Sequence, residues 1–292
     1  MAVEHQERAQ SAASGSVLAE WVEPHLPTMF SRWFPGQRKA LAASAAAVIA
    51  AAEVKPGDAV LDIGSGAGIP ALDVARAVGP AGRVVATDPS PIFIESLTAN
   101  ARQDGATNLD AVQADVLTLP FGPSSFDAVT CHMAVMFFPD VQAGLRRIRE
   151  VLRPGGRAGF VAWGPEQENQ FFGAFWSVAR PYLPAAPGGG IQPAAATGPG
   201  PLRFSAPESL SAELWKAGFV DVREEFRTVE MVWPGTVETL ERQWFDLSAI
   251  EERVAEERHA DLHTGVRRSL ERYAAGGTPR FTAALVVASG KA

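Results

Sequence analysis

The chain has 292 residues, 47% of them hydrophobic and 20% charged, which is enough to bury one large core, and its apolar segments are too short or too broken to span a bilayer. A net charge of -7 at pH 7 gives no overall electrostatic reason to bind nucleic acid, and the single cysteine, Cys131, excludes an intrachain disulfide and a thiolate cluster for a structural metal. The polar, partly acidic start Met1-Ala2-Val3-Glu4 lacks the form of a secretory leader, so the expectation is a cytoplasmic protein acting on a small molecule, with no membrane or nucleic-acid partner.

Residues 1 to about 15 are small and polar and are expected to fray. From Ser16 to Gly36, Trp21, Phe30, Trp33 and Phe34 are interleaved with Pro24, Pro27 and Pro35. That pattern predicts short helical turns broken by prolines, in an arm that covers a pocket or packs onto the core. Gln37 to Ala52 reads as an alanine-rich helix, ended by Lys55-Pro56-Gly57-Asp58. Ala59 to Ile63 is an apolar run with one acid, Asp62, as expected of a strand buried on both faces of a parallel sheet. It runs into Gly64-Ser65-Gly66-Ala67-Gly68, where glycines at alternate positions let the backbone turn tightly and approach a ligand. The helix behind them, Pro70 to Val78, offers its unpaired N–H groups to the same place.

A second strand, Arg83 to Thr87, ends in Asp88, about 20 residues beyond Gly68, where an α/β nucleotide site places a carboxylate for both ribose hydroxyls. A helix from Pro91 to Asp104 leads to a short strand, Leu109 to Gln113, with Asp115 just past its end. The fourth strand, Phe126 to Cys131, is followed by His132, a helix from Val141 to Leu152, the stop Arg153-Pro154-Gly155-Gly156 and a fifth strand, Arg157 to Trp163. Successive βα units predict a doubly wound α/β sheet whose ligands sit at the carboxyl ends of the strands. Gly64 to Gly68, Asp88, Asp115 and His132 all fall on that rim. After Gly164 come a short aromatic helix around Phe171 to Val178, an unpatterned run from Pro181 to Pro201 expected to be a mobile lid, and a helix from Pro207 to Ala217. Phe219 to Trp233 and Phe281 to Ala288 read as a closing antiparallel hairpin interrupted by helices at 236–275. The expected organisation is an arm at 1–53, a core at 54–164, a loop insertion at 165–206 and the rest of the core at 207–292.

These residues resemble the class I S-adenosylmethionine-dependent methyltransferases, and within them the branch similar to ubiquinone and menaquinone C-methyltransferases and natural-product methyltransferases. The motifs run from Val54 to Trp163, with a looser likeness of layout at Ser205 to Val232 and Phe281 to Gly290. The resemblance implies a Rossmann-like, doubly wound seven-stranded sheet, mostly parallel with an antiparallel closing hairpin, a helical N-terminal lid and helical insertions. It implies S-adenosyl-L-methionine as cofactor and S-adenosyl-L-homocysteine as product. In the family the pattern seen here as Leu61-Asp62-Ile63-Gly64-Ser65-Gly66-Ala67-Gly68 cradles the methionine part. Asp88, with Pro89 beside it, would hold the ribose, Asp115 with Val116 would meet the adenine, and the strand end Cys131-His132 would face the methyl group. The expected activity is methyl transfer to a small-molecule acceptor, on oxygen, carbon or nitrogen, in secondary or quinone-like metabolism, by a monomer or homodimer. A nicotinamide- or flavin-dependent oxidoreductase fits less well, because a dinucleotide fingerprint needs Gly-x-Gly-x-x-Gly and here position 69 is Ile, with the third glycine one residue early at Gly68. Two other readings keep the cofactor: a non-methylating reaction such as cyclisation, and a non-catalytic regulatory subunit.

Methyl transfer mainly requires alignment and exclusion of water, and an acceptor that must first lose a proton calls for a base. His132 is the candidate catalytic residue, the alternative being that it only packs or bonds the cofactor's amino-acid end. His25, between Pro24 and Leu26, is a lesser candidate from the arm. His259 and His263 have metal-compatible i, i+4 spacing but lack the glutamate a zinc protease needs, so they read as a solvated helix face, as do Glu251, Glu252, Arg253, Glu256, Glu257 and Arg258. No metal is expected. The acceptor pocket is expected between the Trp21 to Trp33 region, Met133 to Phe138, Phe171 to Trp176 and Trp244-Phe245, whose aromatic walls suit a flat or greasy molecule.

Overall fold

The computed structural model describes residues 17–183 and 199–292. Most of the lid expected at Pro181 to Pro201, and the fraying start, lie outside the described residues. Seven strands form one sheet in the order β3-β2-β1-β4-β5-β7-β6. They are β1 Ala59–Ile63, β2 Arg83–Asp88, β3 Leu109–Gln113, β4 Phe126–His132, β5 Leu152–Trp163, β6 Val220–Val232 and β7 Arg280–Lys291. The first five run parallel, while β7 is antiparallel to both β5 and β6. The seven-stranded sheet with its antiparallel closing pair is the architecture expected from the sequence.

Register decides where the site lies. Ile63 stands opposite Thr87 on one side and Cys131 on the other, so Gly64, Asp88 and His132 come level at the same carboxyl edge. All five residues of β1 are buried, because helices cover both faces of the sheet. The helices are α1 Val17–Val22, α2 His25–Ala40, α3 Ala42–Ala51, α4 Ala71–Val78, α5 Pro91–Asp104, α6 Val141–Val151, α7 Gln170–Ala179, α8 Ser209–Lys216, α9 Val237–Ser248 and α10 His259–Glu271. Among the described residues no helix is long and apolar enough to cross a membrane.

Three local expectations are corrected. The arm is not a set of proline-broken turns, since α2 runs for 16 residues through Pro27 and Pro35 and breaks only at Leu41. Pro27 sits in the first turn, where no N–H bond is lost, and the helix crosses Pro35 because Leu26, Phe34, Gln37 and Ala40 are buried against the core. The stretch Arg153 to Gly156 belongs to β5 as a bulge, between the pairs Phe126↔Leu152 and Ala128↔Arg157. Backbone bonds with Ala292 hold it extended, at 3.2 Å from Gly155 N and 2.9 Å to Gly156 O.

The third concerns the charged segment. Glu251, Glu252 and Arg253, then Glu256, Glu257 and Arg258, form two 3-10 turns rather than a helix face with i, i+4 pairs. Nor are the two histidines, one turn apart on α10, a solvated face, since both are half-buried and bonded. His259 Nε2 meets the carbonyls of Glu251 and Val254, whereas His263 lies between two carboxylates, Glu241 at 3.1 Å and Glu251 at 2.9 Å, with its ring stacked 3.9 Å from Phe245. Glu241 is buried and also accepts from Arg267 Nε at 2.8 Å. Partial burial opposes the charged imidazole, but the two carboxylates outweigh it and hold His263 above its ordinary value. Its contribution to stability is therefore full below the unfolded value near 6.5 and fades as pH rises through the higher folded value. A His263→Gln variant should be less stable than wild type at pH 6, and the gap in urea midpoint should shrink by pH 8.5; a gap independent of pH would refute the charged pairing.

Candidate active site

At the end of β1 the chain must reverse into α4 beside a cleft, and Gly64 and Gly66 carry this out with φ of +66° and +52°. A Cβ on Gly64 would stand 2.4 Å from Ala134 Cβ, so this glycine seats the turn against the loop after β4. A Cβ on Gly66, which lines the cleft, would meet the Phe93 ring at an ordinary contact distance of 3.9 Å. Gly68 has another role. Its Cβ would lie 3.1 Å from Leu72 and Leu97, and it does not line the cleft, so the smallness it supplies serves the packing of α4 and α5.

Asp88, at the end of β2, accepts from Gly66 N at 3.0 Å and Ser90 N at 2.9 Å. It is only 6% exposed, and burial pushes its carboxyl up to about 6 in spite of those two donors. Such a carboxylate is short of partners on its open side. Pro89, Asp115 and Val116 continue the same wall, with Asp115 Oδ1 accepting from Leu117 N at 2.8 Å to cap the turn after β3. Asp62 is not in the wall. It lies fully buried behind the glycine turn, with Thr130 Oγ1 donating to its Oδ1 at 2.5 Å and its Oδ2 unpartnered among the described residues. Burial, opposed by Thr130 and Ser65 and reinforced by Asp88, pushes it up to about 7, so it supports the turn from beneath.

Side chains alternate at the end of β4. His132 faces the cleft, and Cys131 faces the core, where burial raises its thiol and keeps it from the cofactor seat expected for it. His132 Nε2 is 2.8 Å from Ser44 Oγ on α3, and Ser44 Oγ is also 2.8 Å from Leu41 O. With the hydroxyl proton given to Leu41 O, the network assigns the imidazole proton to Nε2. No carboxylate accompanies the ring, and burial pushes it down to about 3, so His132 is neutral throughout the cytoplasmic range. The structure places His132 where a base is expected, but burial without a counter-charge disfavours its protonated form.

These edges enclose a cavity of about 1020 Å³ including its open mouth. Gly64, Ser65, Gly66, Asp88 and Asp115 line it together with the rings of Trp21, Phe30, Phe34, Phe93, Phe137 and Phe138. No lysine or arginine lines it among the described residues. Trp21 of α1 roofs the aromatic side, 5.1 Å from Phe30 and 4.9 Å from Phe137 between ring centroids. The arm is fastened by Trp33 Nε1 to Asp246 at 2.9 Å and by Arg38 to Asp73 and Asp104 at 2.9 and 2.7 Å. The aromatics of α7 and α9 do not reach the cavity. Phe175 and Trp244 stack on each other at 4.6 Å inside the core, which corrects half of the expected pocket wall. His25 does not line it either. Sequence reasoning missed Gln37, Leu41 and Ser44, whose i, i+4, i+7 spacing was the available signal.

The site fits S-adenosylmethionine on its own chemistry. The cavity runs along the backbone of Gly64, Ser65 and Gly66, and the underpartnered Asp88 suits a pair of ribose hydroxyls.

A family model described as a methyltransferase domain matches residues 60–156. The chain is 30% identical over 245 residues to nocamycin O-methyltransferase of Saccharothrix syringae, covering 81% of this chain and 86% of that protein. It is 37% identical over 138 residues to an uncharacterized protein of Mycobacterium tuberculosis, a match that spans 47% of this chain and 48%, about half, of the relative. Among solved structures it resembles the [4+2]-cyclase SpnF with a TM-score of 0.54 at 17% identity, over 92% of this chain and 97% of that one, a likeness of fold alone.

Proposed function

Since the chain belongs to the class I S-adenosylmethionine-dependent methyltransferases, in their quinone and natural-product branch, we propose that it methylates an uncharged, largely apolar small molecule held against the aromatic side of the cavity. The observation that carries this reading is one cavity lined both by the glycine turn with its carboxylates and by aromatic rings, with no lysine or arginine among the described residues. When bound, S-adenosylmethionine supplies the methyl group and leaves as S-adenosylhomocysteine.

The chain's own residues do the rest. Asp88 takes the ribose, Asp115 and Val116 border the adenine, and Gly64, Ser65 and Gly66 let the methionine part lie on the backbone. Trp21, Phe30 and Phe137 exclude water from above and orient a flat acceptor, which is where much of the acceleration of a displacement arises. Ser44 fixes the ring of His132, which acts as a neutral positioning group, so the acceptor's proton passes to solvent and not to the imidazole. The O-methyltransferase relative supports an oxygen acceptor such as an acidic phenol or enol, which needs no strong base.

The test is incubation with methyl-labelled S-adenosylmethionine and a fractionated extract, with products read by mass spectrometry. Label should appear in a small apolar product. A His132→Gln variant should keep that product, lose less than the roughly 100-fold expected for loss of a general base, and leave the pH–rate profile unchanged in shape. Label in protein or nucleic acid would overturn the acceptor class, and a lost pH step in the variant would restore His132 as base.

A further inference from the structure

Gln37 is a polar side chain with no protein partner at the wall of an apolar space. It lies in the interior of the arm helix α2, is 6% exposed, lines the cavity, and makes no hydrogen bond among the described residues. An unpartnered buried amide costs about 1–3 kcal/mol, and leucine would pack the same wall without that cost. A ligand atom that satisfies the amide accounts for it.

The position of Gln37 says which ligand. Gln37 and Leu41 both line the cavity, and Ser44, in the first turn of α3 just past the break at Leu41, reaches His132 at the end of β4. In the sheet β4 flanks β1 on the side away from β2, whereas Asp88 and Asp115 follow β2 and β3. Gln37 therefore lies toward the His132 half of the cavity, beside Leu41.

Resting on the methyltransferase reading above, we infer that the Gln37 side-chain amide is the specificity-determining contact of this half, gripping an uncharged acceptor by a carbonyl or hydroxyl oxygen. An amide both donates and accepts, so it serves the keto and the hydroxyl form of one molecule alike. Anionic acceptors are disfavoured, because Asp88 and Asp115 already place carboxylates in the cavity and no cation lines it.

The test uses the full-length protein loaded with S-adenosylhomocysteine and three probes of one shape: 2-naphthol, 2-naphthoate and naphthalene, with binding read by fluorescence. Wild type should bind 2-naphthol about tenfold tighter than naphthalene, the size of one hydrogen bond, and bind 2-naphthoate weakest. Gln37→Leu should reduce the preference for 2-naphthol to about threefold or less, keep its affinity for S-adenosylhomocysteine, and unfold at a higher temperature than wild type. Gln37→Met repeats the test should the leucine variant misfold. A preference for 2-naphthol that survives both substitutions, or wild-type protein that does not discriminate among the probes, would overturn the assignment. A fall in S-adenosylhomocysteine affinity in the variants would also overturn it, by giving the amide to the cofactor. Failure of wild type to bind S-adenosylhomocysteine at all would instead strike the methyltransferase reading.

Discussion

An Asp88→Asn variant should bind S-adenosylhomocysteine roughly 10- to 100-fold more weakly than wild type in a calorimetric titration, the loss expected when charge-assisted hydrogen bonds to the ribose become neutral ones. The substitution keeps an acceptor for Gly66 N or Ser90 N, so the rim should hold its shape. Asp88→Ala would strand both N–H groups and mix binding with folding, and for that reason the asparagine is the cleaner probe. The pH dependence supplies an independent check. Burial holds Asp88 near 6 in the free protein, so the carboxylate is mostly protonated at pH 5 and ionised at pH 7.5. Hydroxyl donors favour the ionised form, and binding therefore releases a proton at low pH. Affinity should rise between pH 5 and 7 and then level off, and Asp88→Asn should abolish the rise. Equal affinity in wild type and variant at pH 7.5 would remove Asp88 from the site.

Gly64→Ala should destabilise the protein by about 2–5 kcal/mol. Left-handed backbone costs an L-residue about 1–2 kcal/mol, and forcing a methyl to within 2.4 Å of Ala134 Cβ adds the roughly 1–3 kcal/mol of an overpacked core. Two controls separate these terms. Gly57→Ala, at φ +89° with nothing within 4 Å of the new Cβ, should show the backbone cost alone. The double variant Gly64→Ala with Ala134→Gly should recover the steric part and fall near the Gly57→Ala value in urea unfolding. If the double variant is no more stable than Gly64→Ala, the seam between the glycine turn and the β4 loop does not carry the cost.

The consequence for function follows from the same seam. The β1 turn and the loop holding Met133 and Phe137 touch at Gly64 and Ala134, so the glycine side and the aromatic side of the cavity are positioned against each other by one contact. A rigid joint there fixes the distance between the two halves, which is what an alignment-controlled reaction needs.

The amino-acid sequence by itself determined the strands, the glycine turn and the acids at the carboxyl rim. Those signals are local. A strand buried on both faces must be an apolar run, as Ala59–Ile63 is, and a tight reversal needs glycine where φ is positive, as at Gly64 and Gly66. Asp88 and Asp115 follow because a doubly wound sheet delivers strand ends to one edge whatever the rest of the chain does. Only the tertiary structure decided which side chains face the cavity and in what chemical state. One strand position turned Cys131 into the core and His132 to the cleft, packing sent Asp62 and Gly68 behind the turn, and burial without a counter-charge left His132 neutral. Phe175 and Trp244 carry the same aromatic signal as Phe30 and Phe137 but pack as core, because composition cannot tell a wall from an interior. Ser44 meets His132 across 88 residues of sequence, and Gln37 reaches the cavity only because α2 continues through Pro35. Periodicity and turn chemistry act over a few residues, whereas the solvation of a side chain is set by whatever distant elements close around it.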